Sequence, residues 1–106
     1  GIRAGGVIWL SGQIDVEAGE DTASQTAGAL TKIDALLAAA GVTKESVCFA
    51  QVLLDDISDF QAMNEVYGEW VDSMEIKPAR AAFEAGALPA GAKVEIVVQA
   101  IDSSYN

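Results

Sequence analysis

Arg80 has the most chemistry to offer. It is one of only two arginines among 106 residues and follows Pro78-Ala79 at what reads as the start of a strand. A guanidinium is planar, stays charged at physiological pH and meets a carboxylate with two parallel N–H donors, so an arginine held in a partly desolvated place is a receptor for a small carboxylic acid. The competing use is an internal ion pair with Glu84 or Glu95. Glu95 is the second candidate. It lies between Val94 and Ile96, where a carboxylate loses hydration unless it faces water or a cation, and such desolvation moves a carboxyl toward the range useful for proton transfer. Its plain alternative is alternation on a wet sheet face.

Other residues offer less. Ser11-Gly12 comes where a first strand should end and presents a hydroxyl and an amide there, although such a pair also marks an ordinary turn. Asn64 and Tyr67 share a helix face at a spacing of three, and the asparagine is expected to bracket a loop by hydrogen bonding. Cys48, inside an apolar run, reads as a small core hydrophobe. Asp55, Asp56 and Asp59 fall at a strand end and a helix start, where solvation and the helix dipole explain them without a metal.

Composition removes whole classes of function. The absence of histidine excludes Ser-His-Asp and Cys-His catalysis and His-ligated zinc. A single cysteine excludes an intrachain disulfide and every Cys-pair metal or redox motif; a reducing, cytoplasmic setting suits such a chain. Sixteen acids against six bases give a net charge of −10, which repels polyanions, so no nucleic-acid partner is expected. The apolar runs fall short of the ~20 residues that span a bilayer and no basic-then-apolar leader pattern is present, so no membrane partner is expected either. At 51% hydrophobic and 21% charged residues, the chain is expected to form one packed domain over residues 1–106.

The elements that must position these residues follow from periodicity. Val7–Ser11, bounded by Gly6 and Gly12, predicts a strand with Trp9 and Ser11 on one face. The acidic stretch from Asp15 to Asp21 predicts a solvated loop. Thr22-Ala23-Ser24-Gln25 has capping-box spacing, Ala23, Ala27, Leu30, Ile33 and Leu37 form a stripe, and Gly41 stands where a left-handed terminator belongs, so Thr22–Ala40 predicts a helix. Val47–Leu54, apolar on both faces, predicts a strand covered on both sides. A second capping box at Ser58–Gln61 opens a helix over about residues 59–73 whose stripe is Phe60, Met63, Tyr67, Trp70 and Met74. Ala79–Ala85 alternates, with Arg80, Ala82 and Glu84 on one semi-polar face, and Lys93–Ile101 alternates strictly; the two are expected to pair as an antiparallel hairpin. This order predicts a two-layer α+β sandwich, a mixed sheet with both helices on one face. Trp9, Phe49 and Val97 would leave the other face apolar and bare, so a closed homo-oligomer built sheet against sheet is expected.

Ser11-Gly12-Gln13, the helix end Ala38-Ala39-Ala40-Gly41, Asp59-Phe60-x-x-Met63-Asn64-x-x-Tyr67, Pro78-Ala79-Arg80 and Leu88-Pro89-x-Gly91-Ala92-x-Val94-Glu95-Ile96 occur in the order and spacing of the RidA/YjgF family, which the chain resembles from about Val7 to Ile101. The resemblance implies a chorismate-mutase-like fold, a homotrimer with sites between subunits, and cofactor- and metal-free hydrolysis of 2-imino acids, derived from 2-aminoacrylate-type enamines, to 2-keto acids and ammonia. It places the family's carboxylate-binding arginine on Arg80, its water-positioning glutamate on Glu95, its pocket serine and glycine on Ser11 and Gly12, and its helix asparagine on Asn64. The position where many deaminating members carry a cysteine, thought to act through its backbone, falls on Ala82. The Gly-Pro-Tyr-like stretch that precedes the first strand in the family has no counterpart before Gly1. The expected function is therefore a 2-iminobutanoate/2-iminopropanoate deaminase. A non-catalytic, regulatory trimer that binds small carboxylates is the alternative, and an endoribonuclease or translation inhibitor, the activity attached to some family names, is opposed by the charge.

Overall fold

The computed structural model describes residues 1–102; residues 103–106, the end of the expected domain, lie outside that description. The chain runs β1 (Ile2–Ala4), β2 (Val7–Trp9), α1 (Thr22–Ala39), β3 (Val47–Leu54), α2 (Phe60–Asp72), β4 (Ala79–Glu84) and β5 (Val94–Ile101), with the five strands in one sheet ordered β1-β2-β5-β3-β4. Both helices cover one face. Val94, Ile96, Val98 and Ala100 of β5 and Val47, Ala50, Val52 and Leu54 of β3 point into the core shared with Leu30, Ile33 and Leu37 of α1 and Met63, Tyr67 and Trp70 of α2. The alternation that predicts β5 is thus an alternation between core and outer face.

The expected hairpin between the fourth and fifth strands does not form. β4 instead lies parallel to β3 at the sheet edge, and β5 runs antiparallel to β3 on its other side. The physical reason is the crossover. A helix between two strands returns the chain to run parallel beside the strand it left, and α2 does this between β3 and β4. The segment from Ala85 to Lys93 then passes the end of β3, fixed by Ala85 N–H donating to Leu54 (2.8 Å) and Asp55 N–H donating to Lys93 (3.0 Å).

Other expectations shift locally. The first helix is capped not by Thr22 but by Asp21, whose carboxylate accepts from Ser24 N–H at 3.0 Å; hydrogen bonds from the Ser24 side chain and amide hold that carboxyl below the usual range. Gln25, instead of reaching back to the cap, is buried, donating to the Gly19 carbonyl (2.9 Å) and accepting from Lys93 N–H (2.9 Å). The buried stripe rotates accordingly: Thr22, Thr26, Ala29, Leu30, Ile33 and Leu37 face the sheet and Ala27 is exposed. Ahead of α2, Asp56 rather than Ser58 does the capping, closing a single 3-10 turn at Ile57–Asp59 through Ser58 N–H at 2.9 Å. Cys48 lies on the outer face and is exposed, its Sγ 3.4 Å from the Gln99 carbonyl, so it is not a core residue. The strand β1 was not expected. Gly5 and Gly6, at φ 60° and 80°, close a two-residue turn between Ala4 and Val7 that only glycine enters without strain, and Arg3 pins the hairpin through Asp102 at 2.9 Å and the Ala40 carbonyl.

Candidate functional site

The expected site residues fall into two groups on opposite faces of the sheet. Arg80 is paired in register with Ala50, and Ala82 with Val52, so both side chains stand on the helix side at the edge of the sheet; Ala82 is half-buried against the core. The semi-polar face expected to carry Arg80, Ala82 and Glu84 is thus the helix side of the sheet, as the parallel register with β3 fixes. Glu95 is paired with Leu53, the residue whose side chain alternates away from Val52 and Leu54, and therefore stands on the outer face. The side chains of Arg80 and Glu95 diverge from one sheet within a protomer.

The arginine group is built by α2. Trp70 fastens that helix: its indole Nε1 donates to Asp34 of α1 at 3.0 Å, and Lys44 lies 5.7 Å over its ring while its Nζ donates to the Trp70 carbonyl. This sets one turn of α2 over β4. Arg80 Nη1 donates to Asn64 Oδ1, and the guanidinium carbon lies 4.8 Å from the centre of the Tyr67 ring and 5.5 Å from that of Phe60. Arg80 remains exposed. Neither expected internal acid engages it: Glu84 accepts from Ile57 N–H at 2.9 Å, and the side-chain ion pairs among the described residues are Arg3–Asp102 and Lys32–Asp15. The Tyr67 hydroxyl is buried with no hydrogen-bond partner among the described residues; burial pushes its pKa up, against a smaller lowering by the charge of Arg80. The cradle of Phe60, Asn64 and Tyr67 reads in the sequence as core stripe plus loop bracket, although two aromatics straddling an amide on one helix face are the signal of a cation seat.

The glutamate group is built by an irregular strand end. Leu10 N–H donates to the Val98 carbonyl at 3.4 Å, and Gln13 exchanges two bonds of 2.9 and 3.0 Å with Ile96. Ser11 and Gly12 thus stand together opposite the single residue Val97, a bulge shaped further by Gln13 Nε2 donating to the Ser11 carbonyl at 3.1 Å. The Glu95 carboxylate lies on Gly12: a Cβ at that position would overlap Oε2 and sit 2.8 Å from Cδ and 3.1 Å from Cγ. Ser11, Gly12 and Glu95 are therefore brought together, as are Asn64, Arg80 and Ala82, and the two groups are not brought together within the chain. The outer face around the glutamate also exposes Trp9 (43%), Phe83 (42%) and Ile101 (44%).

The family model described as Endoribonuclease L-PSP matches residues 1–102. A RutC family protein of Pyrococcus horikoshii is 42% identical over 101 residues, which cover 90% of this chain and 79% of the relative. The 2-iminobutanoate/2-iminopropanoate deaminase of Capra hircus is 39% identical over 100 residues, covering 89% of this chain and 72% of that protein. Among solved structures, Escherichia coli TdcF with bound serine superposes at a TM-score of 0.89 and 30% identity, over 96% of this chain and 85% of that one.

Proposed function

The chain belongs to the RidA/YjgF family, and from that premise we propose that it is a 2-iminobutanoate/2-iminopropanoate deaminase. It would hydrolyse small 2-imino acids to 2-keto acids and ammonia at sites formed between the protomers of a homotrimer. The observation that carries this reading is the division of the site: an exposed arginine free of internal acids on one face, and a glutamate seated on a glycine bulge on the other. Two half-sites on opposite faces become one site only if Arg80 of one protomer meets Glu95 of the next, which is the head-to-tail contact that closes a ring. The bare apolar outer face supplies the surface such a ring would bury.

The chemistry follows from the groups. Arg80 grips the substrate carboxylate by two parallel hydrogen bonds and fixes the adjacent imine carbon. Glu95 of the neighbouring protomer accepts a proton from water as its oxygen bonds to that carbon, and the C=N π pair moves to nitrogen, giving a carbinolamine. Glu95 returns that proton to the nitrogen, and as the C–N bond breaks and ammonia leaves, the hydroxyl proton passes to Glu95 and the O–H pair forms the C=O bond. Ser11 and the bulge amides line the same space and hold the water or the leaving nitrogen. An iminium carbon is already electrophilic, so positioning and one proton relay are sufficient, which makes a histidine-free site intelligible.

The goat relative's named activity supports the reaction, and the serine bound by the E. coli relative supports a small ligand that bears a carboxylate. The ribonuclease activity in the family model's description is disfavoured here by a charge of −10, which opposes contact with a phosphate backbone. The test is a coupled assay in which an amino-acid oxidase generates 2-iminobutanoate or 2-iminopropanoate and semicarbazide competes for it. The wild-type chain is expected to suppress semicarbazone formation and Arg80→Ala to lose that effect with its oligomeric mass unchanged by light scattering. No acceleration by the wild type, with 2-oxobutanoate still bound, would favour a non-catalytic carboxylate binder.

A further inference from the structure

Every partner of the Arg80 side chain among the described residues is uncharged: the Asn64 amide oxygen, the Tyr67 ring and the Phe60 ring. The chain has sixteen acids and six bases, so carboxylates greatly outnumber cations, yet none among the described residues is engaged here. Glu84, on the same face four residues along β4, is turned away and accepts from Ile57 N–H instead. The choice has a physical consequence. A carboxylate at the position of the Asn64 oxygen would hold Arg80 equally well but would cancel the charge that attracts an anion. A neutral acceptor and two aromatic faces hold the side chain and leave the charge uncancelled.

We infer that Asn64 is a positioning and specificity-determining residue that tethers Arg80 without discharging it, so that residue 64 decides whether the chain takes up small carboxylates at all. This rests on the reading of Arg80 as the carboxylate receptor. The tether also selects an edge. Asn64 takes one Nη1 hydrogen and the face of the guanidinium lies over Tyr67, so the bidentate edge with neither nitrogen engaged is that of Nε and Nη2, whose donors point the same way and match the two oxygens of an incoming carboxylate. An arginine held in this way has already lost the rotamer freedom that a free side chain would lose on binding.

The discriminating substitution is Asn64→Asp, which keeps shape and hydrogen bond and changes only charge. The probe is 2-oxobutanoate, whose dissociation constant is read by calorimetry, so the result does not depend on turnover. Asn64→Asp is expected to weaken binding at least tenfold at pH 7 while its melting temperature stays at or above that of the wild type, because a charged acceptor replaces a neutral one opposite the guanidinium. Asn64→Ala, which frees the side chain without neutralising it, is expected to weaken binding only about three- to tenfold, the scale of one hydrogen bond. With the imine substrate, the loss in Asn64→Asp is expected in KM more than in kcat, since the carboxylate grip is made in both ground and transition states. Asn64→Asp binding 2-oxobutanoate as tightly as the wild type, or no more weakly than Asn64→Ala, overturns the inference. Failure of the wild type itself to bind the probe overturns the underlying assignment of Arg80.

Discussion

Replacing Gly12 by alanine isolates the role of the Glu95 carboxylate, because the new methyl would occupy the space that carboxylate now fills. A Cβ would sit 2.8 Å from Glu95 Cδ, whereas carbon atoms rest at about 3.5–4.0 Å, so the carboxyl group must retreat by about 1 Å. The move costs little in stability: it displaces the far end of a flexible side chain, and Gly12 is not among the glycines with positive φ, so alanine fits its backbone. For catalysis the same ångström is expensive. A misplacement of about 1 Å costs on the order of 10²-fold in rate, and a positioned general base contributes about 10²–10⁴-fold. The expected outcome for Gly12→Ala is a kcat/KM for 2-iminobutanoate lowered about 100-fold, close to 2.7 kcal/mol of transition-state stabilisation, with a melting temperature within about 3 °C of the wild type. Because the effect runs through Glu95, adding Gly12→Ala to Glu95→Gln is expected to cost almost nothing more. A Gly12→Ala protein with an unaltered rate, or a double variant in which the two losses multiply, would refute the reasoning.

Three further outcomes are expected. Ile33→Ala empties a fully buried position between α1 and the sheet and should lower stability by about 2–5 kcal/mol in urea titration; a loss below about 1 kcal/mol would mean that the core is packed differently. Trp70→Phe removes the indole donor to Asp34 and should cost about 1 kcal/mol or somewhat more, eliminated if Asp34 is already replaced by alanine. The Tyr67 hydroxyl, with a folded pKa raised above its usual 10.0 by burial, contributes stability that is fully present below pH 10 and lost as pH rises through the higher folded value. Urea midpoints compared between wild type and Tyr67→Phe should therefore diverge in slope above pH 10, and identical slopes would show the hydroxyl ionising alike in both states.

Individual elements were legible where one signal dominated. The strict alternation from Val94 to Ala100 and the glycine at 41, with φ 84°, place β5 and the end of α1 correctly from the chain alone. Caps were displaced by a residue or two because Asp21 and Asp56 compete with the hydroxyls of Thr22 and Ser58, and a carboxylate accepts the more strongly. Strand pairing was not local information. Ala79–Glu84 and Val94–Ile101 are consecutive strands, yet the core preference of β3 inserts it between them. That insertion also decides the site, since parity of register along β3 sends Arg80 and Glu95 to opposite faces, a relation invisible until β4 is known to run parallel. The residues that touch Arg80 were all noticed in the sequence, but as stripe and bracket, because their joint use depends on α2 lying across the strand edge.

The claim on which the functional account depends is that each site takes its arginine and its glutamate from different protomers, and mixing two inactive variants tests it directly. Arg80→Ala and Glu95→Gln, each expected to be inactive alone, are unfolded together, refolded at equal concentrations and assayed for 2-iminobutanoate hydrolysis. Random assembly into rings places an intact Arg80 opposite an intact Glu95 in about one site in four, so about a quarter of the wild-type rate should return. A mixture as inactive as its two components, with mixed oligomers demonstrated by mass, would contradict the shared site.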